Sequence, residues 1–173
     1  HPLIDQGQVR CEIVVGREAG PVAEFAAREM RTFLSESFGH DVAILGAPSG
    51  TNTALIVGEN ALHKELGLDL ARLPADGFII KSLGRHIVIA GLDDKTIQPE
   101  REMGILRDVF GKGGLQYERG SLFGVYEFLE RFLGVRFYFP GKIGTIVPGH
   151  DSLALPALNL ERHPAFIVRK MGT

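Results

Sequence analysis

The 173-residue chain has no tryptophan, one cysteine and almost no surplus of charge. A lone thiol, Cys11, excludes an intramolecular disulfide framework and any multi-cysteine zinc site. Lys and Arg number 19 against 21 Asp and Glu, a formal charge of −2, so no basic field draws nucleic acid or an anionic membrane surface. No apolar run approaches the ~18 residues that a membrane-crossing helix needs. The first eight residues, His1-Pro2-Leu3-Ile4-Asp5-Gln6-Gly7-Gln8, carry neither the basic nor the apolar region of a signal peptide. They begin with His rather than Met, so the chain reads either as processed or as cut from a longer protein. With 45% hydrophobic and 23% charged residues the composition is that of one globular domain, long enough to bury roughly 70% of its unfolded surface without a disulfide or metal.

Hydrophobic periodicity supplies the elements. Arg10-Cys11-Glu12-Ile13-Val14-Val15 is short, β-branched and bounded by Gly16, a strand in which Cys11 is expected to be buried and inert. Gly20-Pro21 opens a helix, because proline lacks only an N–H that the first turn leaves unbonded anyway. Val22, Phe25, Ala26, Met30, Phe33 and Leu34 make its apolar stripe and Gly39 ends it. Residues 41–45 read as a second strand. Thr53-Ala54-Leu55-Ile56-Val57, apolar almost throughout, reads as a central strand covered on both faces. A short helical turn is expected over 60–66. Residues 77–82 and 86–90 flank Leu83-Gly84-Arg85, a β-hairpin.

The stretch 91–118 is the least regular. A helix fits 101–110, and Gly111-Lys112-Gly113-Gly114 breaks it. Ser121 is read as the cap of a second long helix reaching Leu133, buried along Leu122, Val125, Tyr126, Leu129, Phe132 and Leu133 and stopped by Gly134. Val135-Arg136-Phe137-Tyr138-Phe139 alternates as a strand with its odd positions on one face, and 144–156 is edge strand or coil. Strand and helix do not alternate strictly, which argues against a doubly wound dinucleotide fold. The expected class is α+β, a mixed sheet with two main helices side by side on one face.

Chemistry is sparse. Gly111-Lys112-Gly113-Gly114 lacks phosphate-loop spacing and reads as a surface loop. Asp93 and Asp94, just past the hairpin, could bind a cation or a sugar hydroxyl, or form a turn and a helix cap. Arg119 precedes the second helix, where it could hold a carboxylate bidentately or bridge to an acidic loop residue. The six histidines are scattered with no ligand spacing, so no metal or cofactor is assigned. No nucleophile elbow appears, and no pair of carboxylates is marked for glycoside hydrolysis.

The run Arg119-Gly120-Ser121-Leu122-Phe123-Gly124-Val125-Tyr126-Glu127-Phe128-Leu129-Glu130, followed by Leu133-Gly134-Val135-Arg136-Phe137-Tyr138-Phe139-Pro140 and Gly144-Thr145-Ile146-Val147-Pro148, resembles the N-terminal α/β domain of glycoside hydrolases. Similar domains are the N-terminal domain of α-glucuronidases and the second domain of β-N-acetylhexosaminidases, a two-layer sandwich. The early helix, the strand 53–57, Asp76-Gly77-Phe78 with its hairpin, and the exit His163-Pro164-Ala165-Phe166 come in the same order. The segment 93–116 is longer than such domains carry between hairpin and second helix.

The resemblance implies a non-catalytic accessory domain over 1–160 and an exit segment, 161–173, leading toward a (β/α)₈ barrel of the same polypeptide that holds the catalytic carboxylates. It implies a bacterial, secreted or periplasmic parent; that no nucleic-acid or membrane partner is expected follows from the charge balance and the lack of a long apolar run. Phe166-Ile167-Val168 reads either as the opening strand of a further domain or as an edge strand of this sheet. Asp93, Asp94, Arg119 and Tyr138 are the candidates for a substrate rim or an interdomain contact, with an oligosaccharide as a further partner. The alternative is a free-standing carbohydrate-binding module, which needs exposed aromatic platforms; against it, tryptophan is absent and most of the 11 Phe fall on buried stripes. A small-ligand α/β enzyme rests on the loop glycines alone.

Overall fold

The computed structural model describes residues 1–59, 67–97, 99, 118–139 and 141–163. The expected helical turn at 60–66, the helix at 101–110, the glycine loop at 111–114 and the strand at 166–168 lie outside them.

Six strands make the main sheet: β3 (Cys11–Val15), β4 (Ile44–Leu45), β5 (Thr53–Val57), β6 (Phe78–Leu83), β7 (His86–Gly91) and β11 (Asn159–Arg162). Their order across the sheet is β11-β6-β7-β5-β3-β4. β4, β3, β5 and β7 run parallel, while β6 is antiparallel to both β7 and β11, so the sheet is mixed. β5 lies between two parallel neighbours and is buried along its whole length, as its unbroken apolarity requires.

Two helices cover one face: α1 (Gly20–Phe38) and α2 (Gly120–Phe128), the latter continued by a π turn, Leu129–Leu133. The period of two decides what each strand residue meets. Ile13, Leu55, Val57, Phe78, Ile80, Ile87 and Ile89 join Val22, Ala26, Met30 and Leu34 of α1 and Leu122, Val125 and Phe128 of α2 in one core. The alternate residues Val14, Ala54, Ile56, Ile79, Val88 and Ala90 face the other way and pack with Leu68, Leu70 and Leu73. The architecture is therefore α+β with both helices on one face.

Local chemistry explains several boundaries. Gly84 turns the β6–β7 hairpin at φ +55 while Arg85 keeps a negative φ, the requirement of a two-residue type II′ loop. Gly39, at φ +68, supplies the left-handed residue that ends α1. Ser37, buried at the last turn of α1, donates its hydroxyl to Pro148 O at 2.7 Å, and its carbonyl accepts from His150 N. The His150 ring pairs with Leu133 O at 2.9 Å, so one returning segment ties the ends of both helices.

Four expectations are corrected. Ser121 does not cap the second helix; it is its second residue, fully buried, and the cap position is Arg119. The helix is not α-helical to Leu133, because from Leu129 the wider π turn brings Leu133 onto the same buried face as Phe128 and Leu129. Of the predicted strand 41–45 the structure keeps Ile44–Leu45, with the Ala43 carbonyl accepting from Ile13 N at 2.9 Å, while the Val42 N–H is taken by Ser35 Oγ at 3.0 Å. The predicted strand 135–139 shrinks to β8 (Arg136–Phe137), which pairs with β9 (Thr145–Ile146) in a separate ribbon; Val135 is buried but Phe139 is exposed. A three-stranded sheet of β1 (Pro2–Asp5), β2 (Gln8–Val9) and β10 (Leu153–Ala154) was not foreseen from the polar, Gly-punctuated N-terminus.

At the end of β7 the backbone of Gly91 lies directly against the backbone of Gly120, the first residue of α2. A Cβ built on Gly91 would fall on Gly77 O and lie 2.7 Å from Gly120 Cα, atoms that cannot swing aside. Gly91→Ala should therefore destabilise the fold by at least about 2 kcal/mol in denaturant titration, by overpacking against backbone. Gly46→Ala, with nothing within 4 Å of its added carbon, should stay within about 0.5 kcal/mol of the parent. Equal effects at the two positions would mean that the close approach is not what excludes a side chain.

Candidate functional site

Three of the four candidate residues meet at the head of α2. Because Gly77, Gly91 and Gly120 allow the helix to start against the ends of β6 and β7, the loop after β7 and the residue before α2 pair like strands. Gly120 N donates to Leu92 O at 2.8 Å and Asp94 N to Glu118 O at 2.7 Å, which sets Asp93 opposite Arg119.

The unbonded N–H groups of the first helical turn then find carboxylates from elsewhere in the chain. Asp93 Oδ1 accepts from Ser121 N at 2.9 Å, and Asp76 Oδ1 from Arg119 N at 3.1 Å. Asp76 N in turn donates to Glu118 Oε2 at 2.8 Å, and Gly91 N donates to Ser121 Oγ at 3.1 Å. Asp76 adopts a left-handed backbone at φ +57, which aspartate tolerates better than most residues. Burial pushes the Asp93 carboxyl up to about 6, even though the side chain and backbone of Ser121 hydrogen-bond its charged form; the nearby Glu59 and Asp76 carboxylates add to the rise. Asp76 is also raised by burial, opposed by the Arg119 backbone bond and the Arg119 charge, with Glu118 adding to the rise.

Asp94 is differently employed. Its Oδ1 accepts from Thr96 N and Thr96 Oγ1, both at 2.7 Å, and from Ile97 N at 3.2 Å, a turn that holds its carboxyl below the usual range. The Arg119 guanidinium lies over the Phe123 ring, 5.2 Å from its centroid. Tyr138 is not part of this group. It sits on the β8–β9 ribbon and is exposed.

Beside Asp93 a cavity of about 360 Å³ opens over the C-terminal ends of the parallel strands, where open α/β sheets commonly bind ligands. Glu59, Leu68, Leu70, Asp93 and Lys95 line it, and Lys95 Nζ bridges to Glu59 Oε2 at 2.8 Å. That pair is half-exposed and contributes little to stability. The cavity offers one carboxyl of raised pKa, but glycoside hydrolysis by two carboxylates needs both sides of a bond served. Asp76 and Asp94 are already committed to backbone N–H groups. Among the described residues, no group of three or more His, Cys, Asp or Glu side chains is placed to hold a metal ion. Cys11 is buried inside β3, and burial pushes its thiol up to about 12, far from a reactive thiolate.

The polar residues that sequence reasoning missed are Asp76, Glu118 and Glu12. Asp76 carried a signal, since Asp-Gly marks a turn. Glu118 carried none. Glu12, buried within β3, accepts from Ser49 N and Ser49 Oγ at 2.6 Å each and so holds the loop before β5.

No protein-family model matches the chain, and no curated protein sequence matches it. Among solved structures it is similar to a family GH115 4-O-methyl-α-glucuronidase with specificity for decorated arabinogalactans. The TM-score is 0.53 at 13% identity, over 90% of this chain and 18% of that one. At this identity the likeness is one of fold: the sheet with its two helices is an arrangement found within a glycoside hydrolase. The chain spans less than one fifth of that enzyme's length.

Asp93 makes the site's pH dependence testable. Its folded value of about 6 stands above the ordinary 3.8, so the stability it contributes is full below 3.8 and is lost as pH rises to about 6. Asp93→Asn keeps an oxygen for Ser121 N but cannot ionise. Relative to the parent, the variant should gain roughly 1–3 kcal/mol of unfolding free energy between pH 4 and pH 7. A difference between the two proteins that stays flat across this interval in urea titrations would remove the buried carboxyl from the account.

Proposed function

We propose that this chain is the non-catalytic, N-terminal accessory domain of a secreted or periplasmic bacterial glycoside hydrolase. In this reading it packs against a (β/α)₈ barrel of the same polypeptide, which supplies the general acid and the nucleophile or base. The observation that carries it is the likeness of a mixed sheet with two helices on one face to 18% of an α-glucuronidase chain. The chemistry at the head of α2 agrees with it. Asp76, Asp93 and Asp94 each accept from backbone N–H groups that would otherwise be unbonded, which is the work of a scaffold. Asp93, Asp94 and Arg119 form one polar edge of this scaffold and are its candidates for a substrate rim; Tyr138, on the ribbon, is the interdomain candidate.

The alternative, a free-standing carbohydrate-binding module, draws on one observation. Tyr138 and Phe139 expose their rings, as sugar stacking requires. The ribbon's other large exposed apolar side chains, however, are Ile143 and Ile146, which offer sugar hydroxyls no hydrogen-bonding group. An aliphatic surround suits a protein partner better than a glycan.

Two measurements on the purified chain test the proposal. Aryl glycosides, including aryl α-glucuronides, should show no turnover above the buffer rate, and hydrolysis that tracks the purified protein would overturn the assignment. Calorimetric titration with xylan and arabinogalactan oligosaccharides should give no binding heat; saturable binding would instead favour the carbohydrate-binding module.

A further inference from the structure

Five large apolar side chains are exposed among the described residues, and four of them lie on one ribbon. Tyr138 is 68% exposed, Phe139 54%, Ile143 92% and Ile146 54%, all within the β8–β9 pair and the turn that joins it. Apolar residues scattered singly on a surface need no explanation, but a contiguous cluster does.

The ribbon is held in place at its base. Phe137 packs edge-on against Phe33 of α1, 5.2 Å between centroids, and against Tyr126 of α2 at 5.3 Å, so it bridges the two helices. Arg136 Nη1 donates to Glu130 O at 2.8 Å and to Val135 O at 2.9 Å. Within the turn, Tyr138 N donates to Gly144 O, Gly144 N to Gly141 O, and Thr145 Oγ1 to Gly141 O. A Cβ on Gly144 would strike the Phe139 backbone, so the turn is packed on itself. Its apolar side chains are thus presented outward by a bonded frame.

The geometry points to the β8–β9 ribbon as the surface that docks this domain onto the next folded domain of the same polypeptide, with Ile143 and Tyr138 at the centre of the contact. The inference rests on the reading of the chain as part of a larger glycoside hydrolase and adds where the partner sits. Two observations select this occupant. The similar fold is embedded in a chain of which it makes up 18%, so a neighbouring domain is at hand there. The exposed rim of the ribbon is cationic, with Arg136 and Lys142, so the fitting surface is an apolar patch edged by carboxylates. Four large side chains offer several hundred Å² of apolar area, on the scale of the buried centre of a standard interface.

The test uses the full polypeptide encoded by the gene, with Ile143 replaced by the photoreactive residue p-benzoylphenylalanine; at 92% exposure this position tolerates the exchange without disturbing the core. A second protein carries the probe at Leu83, 36% exposed at the β6–β7 turn, as the control. Illumination should give a cross-link within one molecule, from position 143 to a following domain, in several-fold higher yield than from position 83. Tyr138→Asp with Ile143→Asp should abolish binding of this domain to the remainder of the polypeptide when the two are mixed as separate chains. A cross-link between two copies, equal yields from 143 and 83, or undiminished binding of the double variant would each overturn the docking surface. An intramolecular cross-link to a domain that is not a barrel would support the surface while overturning the proposed function, so the two failures are distinguishable.

Discussion

The contact of three glycines, where the ends of β6 and β7 meet the first turn of α2, is the constraint on which the rest of this structure depends. With no Cβ at Gly77, Gly91 or Gly120, backbone lies against backbone, and α2 starts flush with the sheet. Only at that distance can Leu92 O and Glu118 O accept from the facing strand-like segment, and only then do Asp93 and Asp76 reach the N–H groups of Ser121 and Arg119. The same approach seats Gly124 over Ile89 and Phe78, so the apolar face of α2 closes on the two strands of the hairpin. Polar order at one end of the helix and apolar packing along it thus share one geometric cause.

This arrangement gives the acidic residues at the head of α2 a structural role. A carboxyl raised to about 6 in a cavity wall is a common mark of catalysis, but structural capping raises a carboxyl too when burial outweighs the bonds it receives. Asp93 answers to the second description, since its bond to Ser121 N satisfies a helix terminus. The cavity beside it remains a feature of the C-terminal strand edge, yet Lys95 and Glu59, the charged pair at its wall, face each other.

The sequence made local structure legible. The stripes of α1 and α2, the centrality of β5 and the Gly84 hairpin come from periods and turn residues a few positions apart, and the structure has them. Long-range contacts stayed hidden. Ser121 resembles a helix cap because it is a serine before an apolar run; that a different residue 28 positions away would take its N–H depends on the sheet being assembled. The Asp76–Arg119 bond spans 43 positions and left no mark beyond an Asp-Gly pair. Val135-Arg136-Phe137-Tyr138-Phe139 shows the alternation of a half-buried strand, but only Val135 and Phe137 pack on the helical core while Phe139 is exposed, because the ribbon leaves the main sheet. Positions at element ends single out Asp93, Asp94 and Arg119, which the structure brings together, but the same ground also singles out Tyr138, which lies apart on the ribbon.

The order in which the strands arrive has a consequence for synthesis. β6 is an open edge until Asn159–Arg162 pairs with it, and β1 waits for Leu153–Ala154, near the other end of the sequence. A nascent chain on the ribosome therefore holds its two helices and central strands while Phe78–Leu83 still displays bare ladder groups to any extended segment nearby. Lys81 and Ser82 on that strand, half-exposed even in the finished domain, make the waiting edge a poorer template for aggregation than an all-apolar one.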